Sequence, residues 1–364
     1  MTDLSALGFL RVLDFAENIA GQFCGRMLAD YGAEVTLIEP PGGSATRHIG
    51  PFRETAGGGS LLFEHLNLGK TSVVIDQNNA AGRALLAELA QKADVIIVPA
   101  GFDRAALRAK NPNCIINTVS PFGEGTPKSH WRGTEMIYQA MSGMMIHNGR
   151  HGGVPLYGVG NRASYCAGVA AYDATLAALM VRERTGVAQD IAVDIAHAAA
   201  AMTYPFALQY SYNGSFEERG MRGQPLVEVK CRDGWIAIWI RVNHFPVVCE
   251  QLGLAHLISD LRFAKEDARK ANFPAFIAEV QKHVANASGA DIVNALQAKR
   301  VVAACCFQPT QLGPDAAHLK IRDFWQSVPT PEGPRLALGP QFRMSRTPRR
   351  LRGPAPALAS TEDR

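Results

Sequence analysis

The stretch RVLDFAENIAGQFCGRMLADYGAEVTLIEPPGG, residues 11–43, decides the fold class. It opens with a short apolar run that ends in an acid and an aromatic ring, a pattern typical of a buried strand. Ile19, Phe23 and Met27 then recur at helical spacing, and Gly32 provides a stop signal for that helix. The segment EVTLIEP follows as a second strand. The stretch therefore predicts a strand, a helix and a strand in succession.

The same alternation continues along the chain. Apolar strand-like runs alternate with amphipathic helical runs in TSVVID, AAGRALLAELAQKA, DVIIVP, DRAALRAKNP and CIINTVSPFG. Strands that alternate with helices favour a parallel, doubly wound sheet, so we predict an α/β fold with a Rossmann-like large domain. The glycine pattern G-x-G-x-x-G is missing after the first strand, so a standard dinucleotide site is not expected.

The hydrophobic pattern of the sequence changes in the second half of the chain. LVEVKCRDGWIAIWIRV, residues 226–242, reads as two strands around a turn, and amphipathic helices follow it. We therefore predict a large Rossmann-like domain over 1–205 and a smaller α+β domain with linkers over 206–325. A segment rich in proline and arginine over 326–364 is expected to return to the large domain.

Composition narrows the possible functions. The 364 residues are 47% hydrophobic and 19% charged, with a net charge of +4. This mild positive balance suits an anionic small molecule, whereas no basic stripe with interleaved aromatic residues indicates nucleic acid. The seven cysteines form no C-x-x-C pair, and the histidines show no ligand spacing, so we expect reduced thiols, no metal and a cytoplasmic protein. No signal peptide or membrane span is expected.

Several motifs together resemble the family III CoA-transferases. They are LADYGAEVTLIEPPGG, LNLGKTSVVID, GRALLAELAQKADVII, QAMSGMM, LAALMVRERTG, DGWIAI and RFAKEDARKAN, and they occur in the family's order over nearly the whole chain. The family includes formyl-CoA transferase, the carnitine CoA-transferases and α-methylacyl-CoA racemase. The resemblance implies an interlocked, ring-like homodimer that takes acyl-CoA and a small carboxylic acid as substrates, with no covalently bound cofactor.

The phosphates of CoA require cations and free backbone N–H groups. Arg47 follows the glycine turn PPGGSATR, and Lys70 stands at the head of a predicted strand in LNLGK, so each is a candidate phosphate ligand or a solvated surface charge. The resemblance adds further CoA contacts on the large domain, namely Ala16, Leu68, Val98, Pro99, Arg104 and Gly123.

The segment NRASYCAG, residues 161–168, begins the long helix that ends in VRERTG. In the family, an aspartate at this helix start attacks the thioester and carries the acyl group and then CoA. Here the family pattern aligns without a gap, and Ser164 stands at the position of that aspartate. A serine would form an ordinary ester, and Asp173 lies too far along the same helix to replace the carboxylate. A structural interpretation makes Ser164 the N-cap of this helix.

Glu135 is the other candidate catalytic residue. The racemases of the family use a histidine in a G-H-D stretch, where this chain has GTE, residues 133–135. Glu135 could therefore act as a base or as a replacement nucleophile, or it could satisfy loop backbone.

Three functions follow from this sequence, and we prefer a CoA-transferase that acts on acyl-CoA and a carboxylic acid. The second is a non-catalytic subunit of a heteromeric CoA-transferase, in a heterodimer whose partner supplies the aspartate. The third is an isomerase or racemase-like enzyme, or an acyl-CoA-binding protein without turnover.

Overall fold

A computed structural model describes residues 5–54, 58–149, 152–215 and 226–358. The chain divides into two compact units. The larger unit contains Met1–Asn148, Pro155–Phe216 and Asp323–Arg364, so both ends of the chain contribute to it. The smaller unit contains Gly149–Val154 and Glu217–Arg322. Compared with the predicted bounds, the larger unit extends past residue 205, and the short segment Gly149–Val154 groups with the smaller unit.

A six-stranded parallel sheet forms the centre of the larger unit. Its strands are β1 (Arg11–Asp14), β2 (Glu34–Glu39), β3 (Thr71–Val74), β4 (Val95–Val98), β5 (Ile115–Ser120) and β6 (Asp190–Asp194). Their order across the sheet is β3-β2-β1-β4-β5-β6, and every neighbouring pair is parallel. The direction of the connections reverses between β1 and β4, which leaves a crevice at the carboxyl ends of these two strands.

Eight helices belong to the described part of the larger unit. They are α1 (Ile19–Asp30), α2 (Leu61–Asn67), α3 (Ala80–Lys92), α4 (Arg104–Lys110), α5 (Glu135–Met141), α6 (Arg162–Thr185), α7 (Ile195–Ala201) and α8 (Tyr204–Asn213). The first of them, α1, begins where Asn18 Oδ1 accepts a hydrogen bond from the Gly21 amide at 2.9 Å. This N-cap places most of α1 in the core, where ten of its residues are buried.

The long helix α6 packs closely against α1. A Cβ atom added to Gly168 would lie 2.8 Å from the Ala20 carbonyl oxygen, so only glycine permits this approach of the two helices. The helix ends at Gly186, which adopts the left-handed conformation with φ 73°. Among the described residues, α6 alone is long and apolar enough to cross a membrane, but nine of its residues are buried in the unit. We therefore interpret it as a core helix.

The smaller unit has its own sheet and core. Its three antiparallel strands are β7 (Leu226–Cys231), β8 (Gly234–Trp239) and β9 (Val302–Cys306), in the order β7-β8-β9. Its helices are α9 (Phe245–Gln251), α10 (Glu266–Ala271), α11 (Phe273–Val284), α12 (Gly289–Ala298) and α13 (Ala317–Ile321). Phe263, Phe276 and Ile236 are fully buried at the centre of this core.

The chain then rejoins the larger unit through a hairpin of β10 (Trp325–Val328) and β11 (Arg335–Leu338). The segment beyond the hairpin lies against α1. Phe342 stacks on Tyr31 with ring centroids 4.3 Å apart, and the Arg350 amide donates to the Asp30 carbonyl at 3.0 Å. The C-terminal segment therefore completes one wall of the larger unit.

Candidate active site

Glu135 and Ser164, far apart in the sequence, lie in contact. Glu135 is the first residue of α5, and its Oε2 accepts hydrogen bonds from Ser164 Oγ at 2.7 Å and from the Ser164 amide at 3.1 Å. Its Oε1 accepts from the Ala163 amide at 2.7 Å. One carboxylate thus binds two free N–H groups at the start of α6, where the helix dipole favours negative charge.

This arrangement corrects the interpretation of Ser164 as the N-cap. The helix begins at Arg162, and the N-cap residue is Asn161, whose side chain makes no capping hydrogen bond. The Glu135 carboxylate, from another helix, takes the role that a local cap would have. Ser164 lies in the first turn, is 3% exposed, and donates its hydroxyl proton to Glu135.

Gln139 fixes the position of Glu135. Gln139 lies one turn further along α5, and its Nε2 donates to Glu135 Oε1 at 2.9 Å. Its Oε1 accepts from the Gly158 amide at 2.9 Å, so Gln139 also holds the loop that leads into α6. Gln139 lies four residues after Glu135, and side chains at this spacing meet on one face of a helix. This spacing was the sequence signal that could have identified Gln139 as a partner of Glu135.

Burial and the Glu135 charge make the neighbouring acidic groups harder to ionise. Burial first, and the nearby Glu135 carboxylate in addition, raises the pKa of the Cys166 thiol above its usual value. The same two causes raise the pKa of Tyr138 to about 12. Both groups are protonated at neutral pH, so neither a thiolate nor a phenolate is available beside Glu135.

Four of the predicted CoA-binding residues lie at the carboxyl edge of the sheet. Ala16 follows β1, Pro99 follows β4, and Gly123 lies in the loop after β5 with φ +83°. Arg104, at the start of α4, pairs with Glu124 and donates to Thr118 Oγ1 at 3.1 Å. Open parallel sheets bind their ligands at this edge.

Val98, by contrast, is the last residue of β4, and its side chain is fully buried. Only the backbone of Val98 could therefore reach a ligand.

Lys70 does not fit the predicted phosphate contact. Its side chain is fully buried, and Nζ donates to Asp14 Oδ2 at 2.7 Å, to the Gln22 carbonyl at 2.8 Å and to Asn67 Oδ1 at 2.9 Å. An ammonium group has three protons, so none is left for CoA. The prediction for Lys70 is wrong because this cation neutralises a buried carboxylate inside the unit.

Arg47 also has an acidic partner. It donates from Nε and Nη2 to the two carboxylate oxygens of the buried Glu39, each at 2.7 Å, and its guanidinium stacks over Phe63. Leu68, the residue that follows α2, is 8% exposed. The CoA contacts of Arg47 and Leu68 stay predictions.

Comparison with known proteins identifies the family of this chain. The family model described as CoA-transferase family III matches residues 7–362. The chain belongs to CoA-transferase family III.

Two curated relatives have named acceptors. An acetyl-CoA:oxalate CoA-transferase of Acetobacter aceti is 32% identical over 75% of this chain and 73% of its own. A succinate–glutarate CoA-transferase of Agrobacterium fabrum is 31% identical over 75% of this chain and 74% of its own. The crystal structure of a CaiB/BaiF family protein from Brucella suis superimposes with a TM-score of 0.88, at 27% identity over 97% of this chain and 96% of that chain.

Proposed function

We propose that this protein transfers CoA from an acyl-CoA thioester to a small carboxylic acid, and that Glu135 is the carboxylate that carries the transferred group. One observation carries the proposal. The Glu135 carboxylate lies 2.7 Å from Ser164 Oγ, at the start of the helix where the resemblance predicts the reacting aspartate. A carboxylate is therefore present at this point of the fold although position 164 is a serine.

The reaction needs a carboxylate because only an anhydride and a thioester remain reactive enough to exchange. A Glu135 oxygen attacks the thioester carbonyl carbon, the C–S bond breaks, and CoA leaves as the thiolate. The thiolate attacks the glutamyl carbonyl of the mixed anhydride, which releases the donor acid and leaves a glutamyl-CoA thioester.

The acceptor carboxylate repeats these two steps in reverse. It attacks the glutamyl thioester and displaces the thiolate, and the thiolate then attacks the acceptor's acyl carbon. Glu135 leaves as the carboxylate, and the cycle needs no net proton.

The start of α6 supports this chemistry. The amides of Ala163 and Ser164 and the Ser164 hydroxyl all point at the Glu135 carboxylate. When one carboxylate oxygen carries the acyl group, the other becomes the carbonyl oxygen on which negative charge develops. Preorganised donors stabilise such an oxyanion, so the Ser164 amide and hydroxyl, which both donate to Oε2, can serve as an oxyanion hole when Oε1 carries the acyl group.

We place CoA along the carboxyl edge of the sheet, at the crevice between β1 and β4. The loop residues Ala16, Pro99 and Gly123 and the cation Arg104 support this placement. We further propose a homodimer in the cytoplasm, and the seven free thiols suit a reducing compartment. The heteromeric alternative gains no support, because neither named relative is described as one subunit of a two-chain enzyme.

The experiment compares CoA transfer by the wild type, Glu135→Gln and Ser164→Ala. Acetyl-CoA is the donor, oxalate and glutarate are the acceptors, and new thioesters are separated by chromatography. We expect Glu135→Gln to lower kcat at least about a thousandfold, since the amide cannot form the anhydride. Ser164→Ala removes one oxyanion donor and should lower kcat by about a hundredfold. Asp173→Asn, an acid on the exposed face of α6, is the matched control and should be unchanged.

A double variant that places the family's aspartate at position 164 gives a further test. In Glu135→Gln with Ser164→Asp, a carboxylate stands at position 164, and we expect part of the activity to return. A Glu135→Gln variant as active as the wild type would contradict the proposal. Binding of acetyl-CoA without any transfer by the wild type would favour the acyl-CoA-binding alternative. Exchange of the α-proton of an acyl-CoA would favour the racemase-like alternative.

A further inference from the structure

A second feature of the larger unit is a cavity of about 400 Å³ beside α1. One face of α1 lines it, with Phe23, Arg26 and Asp30 at successive turns. At 1.5 Å per residue, this face extends over about 10 Å. Phe324 and Phe342, which lie before and after the hairpin of β10 and β11, also line it. The lining therefore combines aromatic rings with the charged groups of Arg26 and Asp30.

The charged groups form a buried cluster with excess positive charge. Arg26 is 3% exposed, and its Nε lies 2.7 Å from Asp30 Oδ1. The Arg349 side chain is 1% exposed, and its Nη2 lies 2.9 Å from the same Asp30 oxygen. Two guanidinium groups thus share one carboxylate. Among the residues that line the cavity, Asp30 is the one acid.

Two further polar groups, His65 and the Nε atom of Arg349, do not neutralise the excess positive charge of this cluster. Burial, followed by the charges of Arg26 and Arg349, lowers the pKa of His65 to about 4, so this cavity residue is neutral at pH 7. The Nε atom of Arg349 is buried and has no hydrogen-bond partner among the described residues. A buried positive charge without its full complement of partners is costly, and an anion in the cavity would reduce that cost.

The cavity also reaches the start of α6. Tyr165 lines it and packs edge-on against Phe23, with ring centroids 4.7 Å apart. Tyr165 follows Ser164 directly, and the charges of both Glu135 and Arg26 act on its hydroxyl. The aromatic pair of Tyr165 and Phe23 therefore connects the start of α6 with Arg26, one helical turn further along α1.

We propose that this cavity binds the acceptor acid and that Arg26, which lines it, holds a second carboxylate of that acid, while Arg349, outside the lining, adds the positive charge that it brings to Asp30. This inference rests on the proposed function, because it assigns the first carboxylate to the reaction at Glu135. The substrate class is then a dicarboxylic acid with an apolar spacer. The spacer lies against Phe23 and Tyr165, and the distal carboxylate makes charge-assisted hydrogen bonds with Arg26.

The first test is binding, which needs no turnover. Calorimetry compares glutarate with valerate, a monocarboxylate of the same chain length, on the wild type, Arg26→Gln, Arg26→Lys and Asp30→Asn. We expect the wild type to prefer glutarate, and Arg26→Gln to weaken glutarate by at least about tenfold, as the loss of a hydrogen bond to a charged group predicts. Arg26→Lys keeps the charge and should retain most of the binding. Asp30→Asn removes the competing carboxylate and should tighten it.

The second test is steady-state transfer with the same two acceptors. Arg26→Gln should raise KM for glutarate at least about tenfold and leave KM for valerate and acetyl-CoA unchanged. Valerate controls for misfolding, because a damaged fold would affect both acids. Equal effects on both acids, or unchanged glutarate binding in Arg26→Gln, would overturn the inference. An effect confined to acetyl-CoA would also overturn it, since the bound anion would then be a CoA phosphate.

The two proposals can fail separately. If glutarate binding depends on Arg26 but no transfer occurs, the proposed function fails and the anion site stands. If transfer occurs with equal preference for both acids, the proposed function stands and this inference fails.

Discussion

At the scale of single residues, Lys70 shows how a cation that looks like a ligand contact can be structural. Its ammonium group and Asp14 are both fully buried and 2.7 Å apart. We expect Lys70→Met to lower the free energy of unfolding by about 3–5 kcal/mol, because it leaves an unpaired buried carboxylate. Urea denaturation followed by circular dichroism measures the loss.

The double variant Lys70→Met with Asp14→Asn is the control for Lys70. It removes both charges, so it should be more stable than Lys70→Met alone. A Lys70→Met protein that keeps its full stability but loses CoA affinity would restore the phosphate role predicted from the sequence.

His65 gives the larger unit a defined response to acid. Its pKa of about 4 in the folded state lies below the ordinary value of 6.5, so the unfolded chain binds the proton first. The stability that neutral His65 contributes is complete above pH 6.5 and is lost as the pH falls towards 4. The loss is on the order of 3 kcal/mol.

Urea midpoints at pH 7 and pH 5 test the His65 prediction. His65→Gln should reduce the difference between the two midpoints, whereas His130→Gln, at an exposed histidine, should leave it unchanged. Equal differences in the wild type and His65→Gln would show that His65 is not the acid-sensitive group.

The sequence predicted some residues of the candidate site and missed others for a physical reason. Ser164 and Glu135 were identified from their positions in family-like motifs, and the structure brings them together. Arg26 and Tyr165 were not identified, because each looks like an ordinary residue of a core helix. Their contact with a cavity depends on the C-terminal segment, whose packing against α1 is a tertiary feature that local patterns do not contain.

At the scale of elements, the contact between α1 and α6 fixes the start of the helix that carries Ser164. Alanine usually stabilises a helix relative to glycine by about 1 kcal/mol. At position 168 we expect the opposite sign, because the added Cβ would lie 2.8 Å from the Ala20 carbonyl oxygen and 2.9 Å from the Phe23 ring. Gly168→Ala should lower stability by about 1–3 kcal/mol, as overpacking does.

Thermal unfolding and glutarate binding together test the Gly168 prediction. Phe23 and Tyr165 line the cavity, so Gly168→Ala should weaken glutarate as well as lower Tm. Ala177→Gly, at an exposed position of the same helix, should lower Tm without changing the binding. A Gly168→Ala protein with a raised Tm would contradict the close packing of the two helices.

Most strands of the six-stranded sheet could be predicted, but β6 could not, and neither could β9 of the smaller unit nor the hairpin of β10 and β11. The apolar runs of β1, β2, β4 and β5 are strong signals because these strands are largely buried in the unit. The sequence of β6, DIAVD, has acids at both ends and a burial pattern with one fully buried residue, Val193. The sequence of β9, VAACC, consists largely of small residues with weak strand preference. Pairing with β5 and β8, respectively, forms these strands.

At the scale of the whole molecule, the exposed apolar surface supports self-association. A groove of about 670 Å³ on the larger unit contains Phe9 and Met180, which are 69% and 65% exposed. Large exposed apolar patches mark interaction sites. We expect a dimer by light scattering at micromolar concentration, and we expect Met180→Glu to weaken it. Lys92→Glu, an exposed charge outside this groove, is the control. A monomer mass for the wild type would contradict the prediction.

The sequence predicted a division into domains, and the structure divides the chain into two compact units with other bounds. The change in hydrophobic pattern after the long helix predicted a second domain. The proline- and arginine-rich segment predicted that the chain returns to the large domain. The segment Gly149–Val154, which groups with the smaller unit, was not foreseen because it lies within the sequence of the larger one. The grouping of a short segment with the other unit depends on contacts with residues distant in the chain.

The most direct test of the central claim is to locate the covalent intermediate. The protein is incubated with acetyl-CoA, treated with hydroxylamine or borohydride, and digested with trypsin. The peptide of residues 133–150, GTEMIYQAMSGMMIHNGR, contains Glu135 as its one acid, whereas Ser164 lies in the separate peptide of residues 163–182. We predict a hydroxamate or a reduced alcohol on Glu135, and none in the Glu135→Gln protein. A stable acyl group on Ser164, or modification of neither peptide while CoA transfer proceeds, would contradict the account.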